Sequence, residues 1–341
     1  MKVLSGVKSL VGIDLGSSQV RIYSEGRLLL QENSVVAVDK TDGSVSGFGS
    51  AALVRYHSDA LKYRLEWPVV NGVITDYYTI KDMLHYFIDK ALRRAISSPL
   101  VVISRPSSVS SVVKHALVEA VQHAGAKQAY LITSAAAACL GAGRNLSPED
   151  VVLSVVMGRD VTDVGLFASG GAVAEGSIPF GGHSIDEGIR LYMLDVYQLI
   201  VGTREAEALK MNMTLPATAD GYEAITVRGR RATDGVEFVV EMSSQEIVAM
   251  IHELLSPAVH LLKRIIRRAH PEMAEDILRN GILFSGGMAN LAGLSDWLAA
   301  ELGIAVHVPE DPDLVVAAGC AQAALQSKKY PDILIGAWDD R

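Results

Sequence analysis

Apolar and polar residues alternate through the first forty positions, with β-branched residues concentrated on the apolar side. This pattern predicts strands at about 11–16, 20–24, 27–31 and 34–38, joined as a meander. The Gly-rich polar stretch from Asp39 to Ser50 reads as a loop or small edge structure. The period then changes. Ile80, Met83, Leu84, Phe87, Ile88 and Leu92 make one stripe of a helix over 79–96. Lys90, Arg93 and Arg94 sit near its C-terminal end, where the helix dipole favours cations. A continuous apolar run at 100–104, stopped by Pro106, reads as a buried strand. A helix over 109–124 ends at Gly125, a strand follows at 129–132, and an Ala-rich helix spans 134–142.

The second half repeats this order. Its hairpin lies at 151–179, followed by a helix at about 184–200 and a polar, partly strand-like insertion at about 212–242. Ser243, Ser244, Gln245 and Glu246 form a capping box for a long helix over 244–269, which Pro257 is expected to kink or divide. A strand at 281–284, the turn Ser285-Gly286-Gly287, a helix and a strand at 304–308 come next. A last helix, capped by Asp311 and Pro312, completes the chain. The expected fold class is α/β, with two domains of one plan. Residues 1–145 form the first, with the C-terminal helix of 311–341 packing back on it. Residues 146–310 form the second, with a small insertion subdomain at about 184–242.

Bulk properties add exclusions. In 341 residues, 49% apolar and 21% charged positions exclude extended disorder. Mean hydropathy is positive at +0.25, yet no apolar run reaches the roughly 18 residues a membrane span needs. A net charge of −8 argues against a nucleic-acid partner. Cys139 and Cys320 lie in small-residue helical segments and read as reduced, buried thiols of a cytoplasmic protein. Val3, Leu4, Val7 and Leu10 would share one helical face flanked by Lys2 and Lys8. That face is either a weak membrane contact or a frayed lead-in to the first strand.

The candidate chemistry lies in two similar hairpins. In the first, an apolar strand delivers Asp14 to the turn Gly16-Ser17-Ser18-Gln19, whose backbone N–H groups and hydroxyls suit phosphate oxygens. The second hairpin has apolar Val156 where the first has Asp14, then Gly158, Arg159 and Asp160 in its turn. At Gly286 and Gly287, a strand-to-helix junction lets backbone approach a ligand closely.

These residues resemble MreB, the bacterial actin-homologue family of rod-shape-determining proteins. The resemblance runs from Val11 to about Ala324. It is carried by Gly12 to Ser18; Trp67-Pro68 with the stretch 71–76; Ala124-Gly125-Ala126-Lys127 with Leu131-Ile132; and Ala135-Ala136-Ala137 with Gly141-Ala142-Gly143. Further on come Ile178 with Gly181-Gly182, Asp186 and Glu187; the turn ending in Gly286-Gly287; and the segment 306–312. It implies an actin-like fold with adenine nucleotide, ATP or ADP, held between two domains. It implies phosphate contacts from Ser17, Ser18 and Gln19, sugar and base contacts from Glu207 and Lys210, and an adenosine turn at Gly286 and Gly287. It further implies head-to-tail filaments of the chain with itself at the inner membrane, and partners among shape or assembly proteins.

The departures from the family pattern bear on catalysis. Thr133, Ser134 and Ala135 stand where the family has two glutamates and a proline, so the water-positioning carboxylate is replaced by weakly basic hydroxyls. Val156 supplies no hard oxygen ligand toward Mg²⁺, leaving the metal in question, and Met288 replaces the third glycine of the adenosine turn. No catalytic residue is expected, and nucleotide binding is expected to be weakened, with poor or absent hydrolysis. Arg159 has two open roles: neutralising phosphate directly, or pairing with Asp160 or Asp163. Two functions follow from these expectations, a filament protein of the cell-shape cytoskeleton or a non-polymerising pseudo-ATPase adaptor on the same fold. A kinase would have only Asp160 or Asp163 as base.

Overall fold

The computed structural model describes residues 9–92, 98–147, 149–215 and 222–336. Its two lobes are built on two five-stranded sheets of one topology. In the first, the hairpin strands Leu10–Leu15, Gln19–Ser24 and Arg27–Asn33 run antiparallel. Leu100–Arg105 and Gln128–Thr133 then extend the sheet in parallel from Leu10–Leu15. In the second, Val152–Met157, Thr162–Ala168 and Gly171–Ile178 form the antiparallel part, and Ile282–Ser285 with Val306–His307 the parallel part. The parallel strand Leu100–Arg105 is buried along its whole length, as a strand covered on both faces requires.

The lobes exchange helices. Ser134–Gly141 follows an edge strand of the first sheet but packs under the second, where Gly165 meets Ala135. Val315–Leu325 follows the second sheet but packs under the first. A Cβ on Gly12 would lie 2.1 Å from the Ala321 nitrogen, so only glycine lets strand and helix come this close. The two helices cross backbone to backbone, since a Cβ on Gly319 would lie 1.7 Å from the Ala137 carbonyl oxygen. Each lobe has its own apolar core, and a third core of alanines, Cys139, Cys320, Val315 and Val316 joins them.

Several expectations need correction. Val36–Asp39 leaves the meander and pairs with Val45–Phe48 and Tyr63–Glu66 in a small sheet beside the helix Gly49–Ser58. Pro257 does divide the long helix, into Ser244–Leu254 and Ser256–Ile266. The last helix starts only at Val315, because Pro312 belongs to the preceding turn and its carbonyl accepts from the Gly286 N–H at 2.7 Å. Leu10 is not part of a membrane-facing helix. It lies in the first strand opposite Leu100, against the joining core. Val3, Leu4, Val7, Arg93 and Arg94 fall outside the described residues. The apolar tail docks on the first lobe, with Tyr330, Ile333 and Leu334 buried and Ile335 bridged to Leu131. Among the described residues, no helix is long and apolar enough to cross a membrane.

Candidate nucleotide cleft

Both hairpin turns face one cleft of about 790 Å³ between the lobes. The first turn is closed by the Gly16 N–H donating to the Gln19 carbonyl at 3.1 Å, and a Cβ on Gly16 would lie 2.9 Å from that oxygen. Ser17 is buried beneath the turn and Ser18 is exposed at its tip. The Gln19 side chain is already engaged, its oxygen accepting from Arg21 and Gln31. Asp14 accepts from Ser104 at 2.9 Å and lies 3.5 Å from Arg21, which also pairs with Asp313 at 3.0 Å. Burial raises the Asp14 pKa, and the Arg21 charge works against that rise.

The second turn closes the same way, with the Gly158 N–H donating to the Val161 carbonyl at 2.9 Å. Its loop carbonyls are occupied. Gly158 accepts from the Gly182 N–H at 3.0 Å and Arg159 from the His183 N–H at 2.8 Å, so the helix Gly182–Tyr197 directs its first donors at the loop. Asp160 is buried, with the Asn71 N–H 3.5 Å away. Asp163, opposite Val156 across the hairpin, accepts from the Ser107 N–H and hydroxyl at 2.9 and 2.7 Å and from the Ala135 N–H at 3.2 Å. Its pKa is pushed up to about 7 by burial, against the pull of those donors. Arg159 therefore finds Asp160, at 3.7 Å, while the Asp163 carboxylate is taken up elsewhere. Its guanidinium also donates to the Ser17 carbonyl at 3.3 Å and lies 5.8 Å from the centre of the Trp67 ring.

At the far end of the cleft, Gly286 has φ +90°, and a Cβ there would lie 2.4 Å from the Met157 carbonyl oxygen. Gly287 has open space where a side chain would be, which leaves room for a flat ring. Met288 is 3% exposed, its sulfur set against Gly182 in the cleft wall. Lys210 is buried and held by Asp186 at 2.7 Å and by the Gly182 carbonyl at 3.1 Å, whereas Glu207 is exposed on the rim. Burial raises the Asp186 pKa, opposed by Lys210. Thr133 caps its helix and donates to Glu175 at 2.5 Å, and Ser134 donates to the Arg105 carbonyl at 3.2 Å. Burial raises the Glu175 pKa, with Thr133 and Arg105 opposing.

Ser104, Arg105, Asp186 and Asp313 join the cleft lining without having stood out as site residues in the sequence, while Glu175 bonds Thr133 outside that lining. Arg21 had a usable signal, because a tight hairpin turn places it directly opposite Asp14. The others come from distant segments. The cleft fits a nucleotide: glycine-lined backbone at both ends, an open wall at Gly287 and polar groups between. Its donor set does not fit a magnesium ion. Val156 brings no oxygen, Asp163 accepts from three N–H and O–H donors, Asp14 is already paired with a cation, and Asp160, whose one oxygen lacks a hydrogen bond, is a lone acid 3.7 Å from Arg159. Among the described residues, no group of three or more His, Cys, Asp or Glu is placed to hold a metal.

Comparison with known proteins accords with this geometry. The family model described as MreB/Mbl protein matches residues 8–331. The cell shape-determining protein Mbl of Bacillus subtilis (strain 168) is 32% identical over 326 residues, covering 94% of this chain and 97% of the relative. The cell shape-determining protein MreB of Escherichia coli (strain K12) is 32% identical over 323 residues, 92% of each. Among solved structures, MreB5 of Spiroplasma citri bound to ADP superposes with a TM-score of 0.86 at 25% identity, covering 95% of this chain and 98% of that one. A MamK double helical filament, at 20% identity and a TM-score of 0.80, shares the fold. With its two-lobed actin-like fold, this chain belongs to the MreB/Mbl family.

Proposed function

We propose that this chain is a cytoskeletal protein of the cell-shape class that forms or joins actin-like filaments at the inner face of the cell membrane. In this reading it binds ATP or ADP between a first lobe of residues 1–145 with 311–341 and a second of 146–310, and hydrolyses ATP slowly or not at all. The full-length relatives named for cell-shape determination support the cellular role, and MreB5 bound to AMPPNP and to ADP supports the ligand. One observation carries the catalytic half: the adenosine end is open at Gly287, while each acid of the phosphate end, Asp14, Asp160 and Asp163, lies against a protein donor or cation. Phosphoryl transfer depends on positioning and charge neutralisation, so a water without a positioning acid reacts slowly. Single-turnover hydrolysis beside sedimentation and negative-stain microscopy tests the reading. ATP-dependent filaments with little phosphate release support it. Turnover at the rate of a hydrolysing actin homologue, or a monomer at all concentrations, counts against it.

The adaptor reading has an observation of its own. Hydrogen bonds brace the lobes across the cleft, through Ser107 to Asp163 and through Ser108 and Ser177, whose hydroxyls and N–H groups bond reciprocally at 3.0–3.1 Å. A cleft braced in this way suits a static ligand or protein contact. Strict monomers that still bind nucleotide would favour it.

A further inference from the structure

The guanidinium of Arg159 lies in the turn that follows Val156, where the cleft has lost its acid. Its side chain is one-third exposed and lines the cleft with Ser17 and Gly158. Of five N–H donors, one reaches the Ser17 carbonyl at a long 3.3 Å, and the nearest carboxylate oxygen, on Asp160, is 3.7 Å away. Neither contact saturates the fork. Asp160 is buried, with one oxygen 3.5 Å from the Asn71 N–H and the other, the one nearer Arg159, without a hydrogen bond, so its pairing with Arg159 is loose. On the opposite side of the phosphate end, Arg21 is shared between Asp14 and Asp313, so that cation is already engaged. A polyphosphate entering between the two turns would therefore meet a fixed, permanently charged planar donor and no oxygen set for a metal.

We infer that Arg159 replaces the divalent cation, so that this chain takes the metal-free nucleoside di- or triphosphate. The inference rests on the nucleotide-binding reading and narrows it to an ionic form. Entry of the ligand moves the guanidinium from the Ser17 carbonyl to a phosphate oxygen. The same residue therefore latches the two turns together in the absence of ligand and grips the phosphate in its presence. Magnesium competes for the phosphate oxygens and gives nothing in return.

Titration of the full chain with ATP and with ADP, in excess magnesium and in EDTA, tests this, with adenosine as a ligand lacking phosphate. The expected result is binding in EDTA at least as tight as in magnesium. Arg159→Met should weaken the EDTA affinity roughly tenfold to a hundredfold, the usual loss of a charge-assisted hydrogen bond, and leave adenosine binding unchanged. Arg159→Lys keeps the charge but loses the fork and should fall between. If the methionine variant fails to fold, the lysine variant carries the comparison. Binding that requires magnesium overturns the inference and leaves the nucleotide reading standing, as does undiminished affinity in both variants. No binding under either condition overturns the two together.

Discussion

The two hairpins that face each other across the cleft have the same backbone and opposite electrostatics. Each turn is closed by a glycine N–H on a carbonyl three residues later, and each has its first strand in the middle of a five-stranded sheet. At the matching cross-strand position, the first hairpin sets Asp14 against Arg21 and the second sets Val156 against Asp163. The first acid has a cation beside it. The second has only neutral donors, from Ser107 of the other lobe and from Ala135 on the exchanged helix. Topology survives such a divergence because sheet register depends on the apolar positions, which both hairpins keep, and not on the residues at the turn.

The largest expected consequence is a pH dependence in the second hairpin. In the folded protein Asp163 keeps its proton up to about pH 7, whereas the unfolded chain releases it near 3.8. Between those values unfolding releases a proton, so raising the pH favours the unfolded state. Stability from this group is therefore fullest below pH 4 and falls through the interval to pH 7, by up to about 4 kcal/mol. Glu175, Asp14 and Asp186 shift in the same direction, so the decisive measurement is a comparison. Denaturant melts of the wild type and Asp163→Asn across pH 4–8 should show a visibly shallower slope in the variant. Parallel slopes would mean that Asp163 is ionised throughout.

Next in size is a contrast between Gly12 and Ser154, the matching points on the two central strands. A Cβ on Gly12 would collide with the Ala321 nitrogen of the exchanged helix, while Ser154 already carries a side chain at its position. Gly12→Ala is expected to cost about 3 kcal/mol by forcing strand and helix apart, and Ser154→Ala under about 1 kcal/mol. Chemical denaturation of both measures the difference, and equal losses would remove the claim that the exchanged helices seat differently under the two sheets. Somewhat smaller is the effect of Arg21→Met. It leaves Asp14 and Asp313 facing each other without a cation and is expected to cost about 2–3 kcal/mol. Replacing both aspartates by asparagine in that background should recover part of the loss.

How far this could be read in advance depended on where the partner of each residue lies. The hairpins, the helix Tyr77–Leu92 and the division at Pro257 announce themselves locally, through alternation, a six-residue apolar stripe and a ring that cannot donate. The helix Gly49–Ser58 gave no such signal, because it buries only Gly49 and Ala52 and leaves Val54 69% exposed. The glycines of the cleft and the loss of the acid at Val156 were visible from spacing. The fate of Asp163 was not, since Ser107 and Ala135 approach it from other segments. The partners of Lys210 were hidden for the same reason. Its helix reaches the cleft as expected, but Asp186 and the Gly182 carbonyl hold its ammonium in the wall.

The smallest stability effect is the most direct attack on the contrast between the hairpins. Val156→Asp would put an acid back on the second strand, in the cleft lining and directly opposite Asp163. Two carboxyls facing each other across strands repel, and the position is half-buried, so a loss of about 1–2 kcal/mol is expected near neutral pH, shrinking in acid as one of the pair takes up a proton. The ligand response should move in the opposite sense: with a hard oxygen restored beside Arg159, magnesium should begin to tighten nucleotide binding where the wild type gains nothing from it. Isothermal titration of the variant in magnesium and in EDTA decides the point. If magnesium still makes no difference, the missing acid is not what sets the two hairpins apart, and the cause lies in the Arg159 side chain itself. Arg159→Gly in the same background would then be the change that restores the metal.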